Sequence, residues 1–209
     1  MSAASHVLTD DSLLSRIDRT LLVLEEKFAL LSGLAVLSLV FLAVASAGGR
    51  NLIDMPLMGY VDWIEQIMPL IAFMGISFCH REGGHIRMDL LIGFLNGRVQ
   101  WLVEAITNLL VLLLITLLAW GSYAHFERSF DWNMPLWSRD SSIDIGLPLW
   151  PAKLLAPVAF AVLSLRLLIQ IYAYSLAAIR GIEHPIAVPL PMSIEEQAEE
   201  EANQVSGRD

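Results

Sequence analysis

The sequence predicts an all-α integral membrane protein with four transmembrane helices, an amphipathic helical extension at its N-terminus, and both termini in the cytoplasm. The 209-residue chain is 56% apolar and has a mean hydropathy of +0.58, above the range of ordinary soluble domains. Its apolar residues are gathered into long runs, and about twenty such residues suffice to cross the hydrocarbon of a bilayer. These two observations predict membrane spans, and the distribution of basic residues predicts their orientation.

Residues 1–27 form an arm in which charged residues alternate with apolar ones. The apolar residues recur at helical spacing: Leu13, Leu14, Ile17, Leu21 and Leu24. Such a pattern indicates a helix that lies at the membrane interface or that continues, solvated, into the first span. Arg16 and Arg19 are expected to anchor this arm at the lipid headgroups.

The membrane domain is expected to cover residues 28–178. Its spans are predicted at about 28–47, 61–80, 101–123 and 149–172, where charged residues are scarce. Trp63, Trp101 and Trp150 lie near span ends, as interfacial tryptophans do, and Arg98 is expected at the headgroups. In the first span, the pairs Ala29 and Gly33, and Ala43 and Ala47, place small residues four apart, which lets another helix approach closely.

Two polar features fall within the predicted spans. Glu104, Thr107 and Asn108 share one face of the third span and are able to hydrogen-bond a neighbouring helix. Arg166 lies about two thirds of the way along the fourth span, where a charge is costly unless it pairs with an acid or reaches the interface. We expect Arg166 to extend towards the interface.

The orientation follows from the basic residues that flank the spans. Seven lie on one side (Arg16, Arg19, Lys27, Arg81, Arg87, Arg98 and Arg180) and four on the other (Arg50, Arg128, Arg139 and Lys153). The richer side is predicted to be cytoplasmic, and it includes both termini. Residues 179–209 form an acidic polar tail, which contributes much of the net charge of −9.

Several function classes are disfavoured by composition. The single Cys79 excludes paired-thiol chemistry, and the chain has no basic stripe of the kind that binds nucleic acid. His80, Glu82 and His85 do not have the spacing of a zinc protease motif, and all five histidines fall at or outside span ends. We therefore expect no catalytic residues, no metal and no cofactor.

The segment Arg81–Leu91 combines charged residues with two adjacent glycines directly after the second span. Together with Gly146–Trp150 and with Ala156-Pro157 in the fourth span, it resembles the small membrane subunit of TRAP transporters, the DctQ-like family. The resemblance covers roughly residues 14–178. The family often has a Leu-Pro pair shortly after the charged motif, whereas this chain has Leu95-Asn96.

The resemblance implies a non-catalytic subunit of a bacterial or archaeal inner-membrane transporter. Its partners would be a large elevator-type permease subunit, a periplasmic solute-binding protein and membrane phospholipids, and the complex would take up an organic acid or compatible solute with sodium. The charged motif is the expected cytoplasmic turn and subunit contact, through Arg81, Glu82, Gly84, His85, Arg87 and Asp89. An alternative is a small four-helix membrane enzyme or lipid-binding protein that acts alone.

Overall fold

The computed structural model describes residues 13–52, 54–55, 57–81, 98–181 and 188. Four of its helical segments are long and apolar enough to cross a membrane, which confirms the predicted all-α, four-span class. The orientation of the termini stays a prediction. The helices are α1 (Leu13–Leu52), α2 (Tyr60–Met74), α3 (Ile76–Arg81), α4 (Arg98–Ser129) and α5 (Trp150–Arg180), and a short 3-10 helix (Pro135–Trp137) lies between α4 and α5.

Helix α1 joins the amphipathic arm and the first span without a break. Its 40 residues give a length of about 60 Å, roughly twice the thickness of the hydrocarbon. Helices α4 and α5 also extend beyond the apolar runs that predicted them, ending at Ser129 and Arg180. Hydropathy locates the part of a helix that crosses the hydrocarbon, and it does not locate the helix ends.

The second span consists of α2 and α3, which are separated at Gly75. This span also contains Pro69, and proline lacks the N–H that continues the helical hydrogen-bond pattern. The structure keeps Pro69 inside α2 and interrupts the helix at Gly75, whose N–H bonds to the Phe73 carbonyl. Glycine is the weakest helix former after proline, because its backbone has the most conformational freedom. The break between α2 and α3 therefore forms at the glycine.

Helix α5 is the central element of the packing. Against the last part of α5, Trp101 of α4 stacks on Tyr174 with ring centroids 5.9 Å apart. Ala173 and Ala177 of α5 are buried there, and their small side chains let α4 approach. Nearer the start of α5, a second core holds Ile115 of α4 with three buried side chains of α5, Phe160, Leu163 and Leu167.

Helix α1 is covered by the rest of the chain only in part. Leu21 in its arm packs on Ile169 of α5, whereas Leu30, Phe41 and Val44 in the apolar run are each about two-thirds exposed. Adding a side-chain carbon at Gly33 would meet nothing within 4 Å. The first span therefore presents a wide apolar face to its surroundings.

Candidate functional site

A cluster of four buried charged side chains joins three helices. Asp18 and Glu25 come from the arm of α1, Arg81 ends α3, and Arg166 lies in the middle of α5. Arg81 is 3% exposed and the other three are fully buried. We call Asp18, Glu25, Arg81 and Arg166 the ionic cluster.

Arg166 is the residue that connects the ionic cluster. Its guanidinium forms a two-pronged contact with Glu25, with Nε 2.9 Å from Oε1 and Nη2 2.6 Å from Oε2. Its third nitrogen, Nη1, donates to Oδ1 of Asp18. The other oxygen of Asp18 accepts a hydrogen bond of 3.1 Å from Nη2 of Arg81. One guanidinium thus uses all of its nitrogens on α1, which arginine's planar, rigid donor geometry allows.

Neutral groups complete the surroundings of these charges. The hydroxyl of Ser77, on α3, donates to Oε1 of Glu25 at 2.5 Å. Gln170 lies one helical turn after Arg166 in α5. Its Oε1 is 2.8 Å from Nε2 of His80, so a hydrogen bond also links α3 directly to α5. The buried oxygens of Glu25 therefore accept hydrogen bonds from both α3 and α5.

The ionic cluster is electrically balanced, since two carboxylates face two guanidinium groups. Burying charge is costly, and pairing offsets this only when the geometry is good and the remaining donors and acceptors are satisfied. Removing one member leaves another charge buried without its partner, which typically costs about 3–5 kcal/mol. The cluster therefore fixes how α1, α3 and α5 sit against one another.

One sequence-based expectation is wrong in this region. Arg166 does not extend to the interface, because two acids of α1 meet it inside the protein. Arg81 is buried against Asp18. Trp101 is 5% exposed, because Tyr174 covers its ring, and its role as an interface anchor stays a prediction.

A signal for the ionic cluster was present in the arm. Asp18 and Glu25 are seven residues apart, which places both carboxylates on one helical face. In α3, Ser77 and Arg81 share a face in the same way, being four residues apart. The apolar spacing of the arm predicts an amphipathic helix, but it does not predict which charged residues the acids meet.

The other predicted site residues divide into three groups. Glu82, Gly84, His85, Arg87 and Asp89 lie outside the described residues. Arg16, Arg19, Trp63 and Arg98 are exposed, and their contact with lipid stays a prediction. Trp150 is half-buried, and its indole N–H donates to the Leu136 carbonyl at 3.0 Å.

The loop between α4 and α5 forms a second ordered region, at the opposite end of the spans. Asp62 of α2 accepts hydrogen bonds from the Ser142 hydroxyl at 2.7 Å and from the Ile145 N–H at 2.8 Å. The side-chain amide of Gln66, one turn on, donates to the Pro148 carbonyl. The second span therefore holds a loop that is about 80 residues distant in sequence.

Charged groups also link the two ends of this loop, where it leaves α4 and enters α5. Nζ of Lys153 lies 2.6 Å from Asp140, and the Ser129 hydroxyl donates to the same carboxylate. These two hydrogen bonds lower the pKa of Asp140 below its ordinary value. The pKa of Asp131 is lowered by the Asn133 N–H and then by Arg139.

The outer edge of the loop is apolar although it is exposed. Trp132 and Leu136 are about 70% exposed and Trp137 is half exposed. Leu136 and Trp137 also adopt positive φ angles of 54° and 56°, which side chains of this size rarely do. An apolar edge held in a strained turn is suited to contact with a membrane surface or a protein.

Neither region has the composition of a catalytic or metal centre. Among the described residues no group of three or more His, Cys, Asp or Glu side chains is placed to hold a metal ion. The ionic cluster uses its carboxylates in ion pairs, which leaves it suited to holding helices together. Cys79 is an exposed free thiol.

Comparison with known proteins agrees with the sequence resemblance. The family model described as tripartite ATP-independent periplasmic transporters, DctQ component, matches residues 39–175, more than half of the chain. No curated protein matches the chain. The matched range contains Arg81 and Arg166 but begins after Asp18 and Glu25, so the arm that supplies the acids lies outside it.

Replacing Arg166 with glutamine should destabilise the chain strongly, because Glu25 would lose its two-pronged partner. We expect the unfolding midpoint of the purified chain to fall by roughly 10 °C, from a loss of about 3–5 kcal/mol. Arg180→Gln, at the exposed end of α5, is the matched control and should change the midpoint little. Equal effects of the two substitutions would show that the ionic cluster contributes no special stability.

Acid should loosen the loop between α4 and α5. The pKa values of Asp131 and Asp140 are lowered in the folded chain, so their stabilisation is complete above about pH 4 and is lost as the pH falls through those lowered values. Tryptophan fluorescence of the loop should stay constant from pH 7 to pH 4 and change below that. Asp140→Asn should reduce this transition and Asp144→Asn, on the same loop, should retain it. An unaltered fluorescence transition in Asp140→Asn would show that protonation of Asp140 does not loosen the loop.

Proposed function

The chain belongs to the family of DctQ components of tripartite ATP-independent periplasmic (TRAP) transporters, and from that membership we propose that it braces the large permease subunit of such a transporter. It is a small, multi-pass membrane component, and it is not an enzyme, so the alternative of a membrane enzyme is wrong. Transporters of this family also comprise a large permease and a periplasmic binding protein. The family match is the observation that carries the proposal.

The ionic cluster supports a bracing role because a brace must resist deformation. Two long helices and the end of the second span meet in the ionic cluster, and α5 in turn carries the apolar cores against α4. A helix that moved independently would have to separate buried opposite charges. The cluster therefore favours a subunit that moves as one body.

The exposed apolar faces support a large membrane partner. On α4, Leu110, Leu113 and Leu117 are each more than half exposed, and the apolar run of α1 is similarly open. On α1, a side-chain carbon added at Gly33 would meet nothing within 4 Å, and Ala43 and Ala47 are exposed. A second membrane subunit packed on these faces would approach closely at the small residues.

The charged turn after the second span is proposed as a contact with the permease. Arg81, its first residue, is fixed by Asp18, and α4 begins at Arg98 beyond the turn. The first residue of this motif is therefore held by the ionic cluster. We assign Arg87 and Asp89 to each other or to the permease, and we propose sodium-coupled uptake of an organic solute delivered by the binding protein.

Co-expression with a tagged permease subunit tests this function. Arg87→Asp and Asp89→Arg, each alone, should lower both copurification and solute uptake, and the charge swap should restore them if the two residues pair. Arg50→Gln, at the other end of α1, is the control. Failure of the unaltered chain to copurify with the permease would overturn the proposed bracing role. Single variants with full copurification yield and full uptake would show that the turn is not a contact with the permease.

A further inference from the structure

An open groove of about 580 Å³ lies between the arm of α1 and α5. Its lining is largely apolar: Arg16, Ile17, Thr20, Leu21, Leu24 and Leu165. Ile17 and Leu165 are each about half exposed, so the groove leaves apolar side chains uncovered. Leu165 directly precedes Arg166 in α5, so the groove lies next to the ionic cluster.

In the arm of α1, two acids face the protein interior and the basic residues face outward. Its two buried acids, Asp18 and Glu25, point into the protein and are neutralised by Arg81 and Arg166. Its bases, Arg16, Arg19 and Lys27, are all exposed, with Glu26 as the exposed acid beside them. In the described part of the arm, residues 13–27, three acids balance three bases in sequence, and burial of two of the acids in the ionic cluster leaves a basic outer surface.

We propose that this groove binds an anionic phospholipid, with its phosphate at Arg16 and an acyl chain along Leu24 and Leu165. Within the groove, Arg16 lies farthest from the charge-free run that begins at Phe28, and Leu24 lies nearest to it. This order of polar and apolar residues matches a lipid whose headgroup faces outward and whose chain points towards the hydrocarbon.

The polar lining is suited to a single phosphate. The Thr20 hydroxyl donates to the Arg16 carbonyl at 3.0 Å, so it is engaged in the helix itself. The guanidinium of Arg16 is therefore the charged group that the groove offers, and guanidinium groups bind phosphate with paired hydrogen bonds. A zwitterionic lipid would bring a second, positive charge to the same basic surface, and it should bind less well.

Binding of phosphatidylglycerol and phosphatidylcholine to the delipidated full-length chain, measured by native mass spectrometry, tests the proposal. Phosphatidylglycerol should bind more tightly than phosphatidylcholine. Arg16→Gln should weaken phosphatidylglycerol binding about fivefold, the loss expected for one basic residue at an anionic surface. Arg16→Lys, which keeps the charge, should retain most of the preference and shows that the position tolerates substitution.

Arg19→Gln is the matched control, because Arg19 is exposed on the same arm but does not line the groove. It should weaken phosphatidylglycerol binding much less than Arg16→Gln does. Equal affinity for the two lipids, or equal effects of the two glutamine variants, would overturn the groove as a lipid site. So would an Arg16→Gln chain that binds lipid normally but loses the permease, since the groove would then hold protein. The outcome is independent of the charge-swap test of the turn.

Discussion

Opposite charges placed in a poorly solvated interior must stay together, and this constraint organises the molecule. Arg166 is fully buried and pairs with the carboxylates of Asp18 and Glu25, so α5 and the arm of α1 are held at one relative position. Arg81 adds the end of the second span to the same point. Apolar packing between membrane helices is weakly directional, whereas ion pairs with fixed donor geometry define a register.

The constraint at one end of the spans is matched by hydrogen bonds at the other. Asp62 holds the loop between α4 and α5, and Lys153 with Asp140 closes its base. One end of the second span is thus tied to this loop and the other to α1 and α5, while the outer faces of α1 and α4 remain apolar and open. A body that is fixed internally and open at its apolar faces suits a subunit whose proposed role is to hold a moving partner. The proposed lipid would fill the uncovered groove where the arm meets α5.

Hydropathy predicted the spans and the fold class, because long apolar runs have few alternatives in a membrane. The pairing of Arg166 was missed because its partners lie 141 and 148 residues away, and no local period encodes such a contact. The order of the loop was missed for the same reason, since Asp62 reaches it across 80 residues. The stacking of Trp101 on Tyr174 was not predicted, because a tryptophan at a span end is suited equally to the interface and to a ring partner.

The most direct test of rigid bracing is a distance measurement between α1 and α5 in the assembled transporter. Spin labels at Arg19→Cys and Ile179→Cys, in a chain carrying Cys79→Ser, report this distance by pulsed electron paramagnetic resonance. The account predicts one narrow distance distribution that is the same with and without the solute-loaded binding protein. A shift of the distribution by about one helical turn, roughly 5 Å, between the two conditions would contradict it.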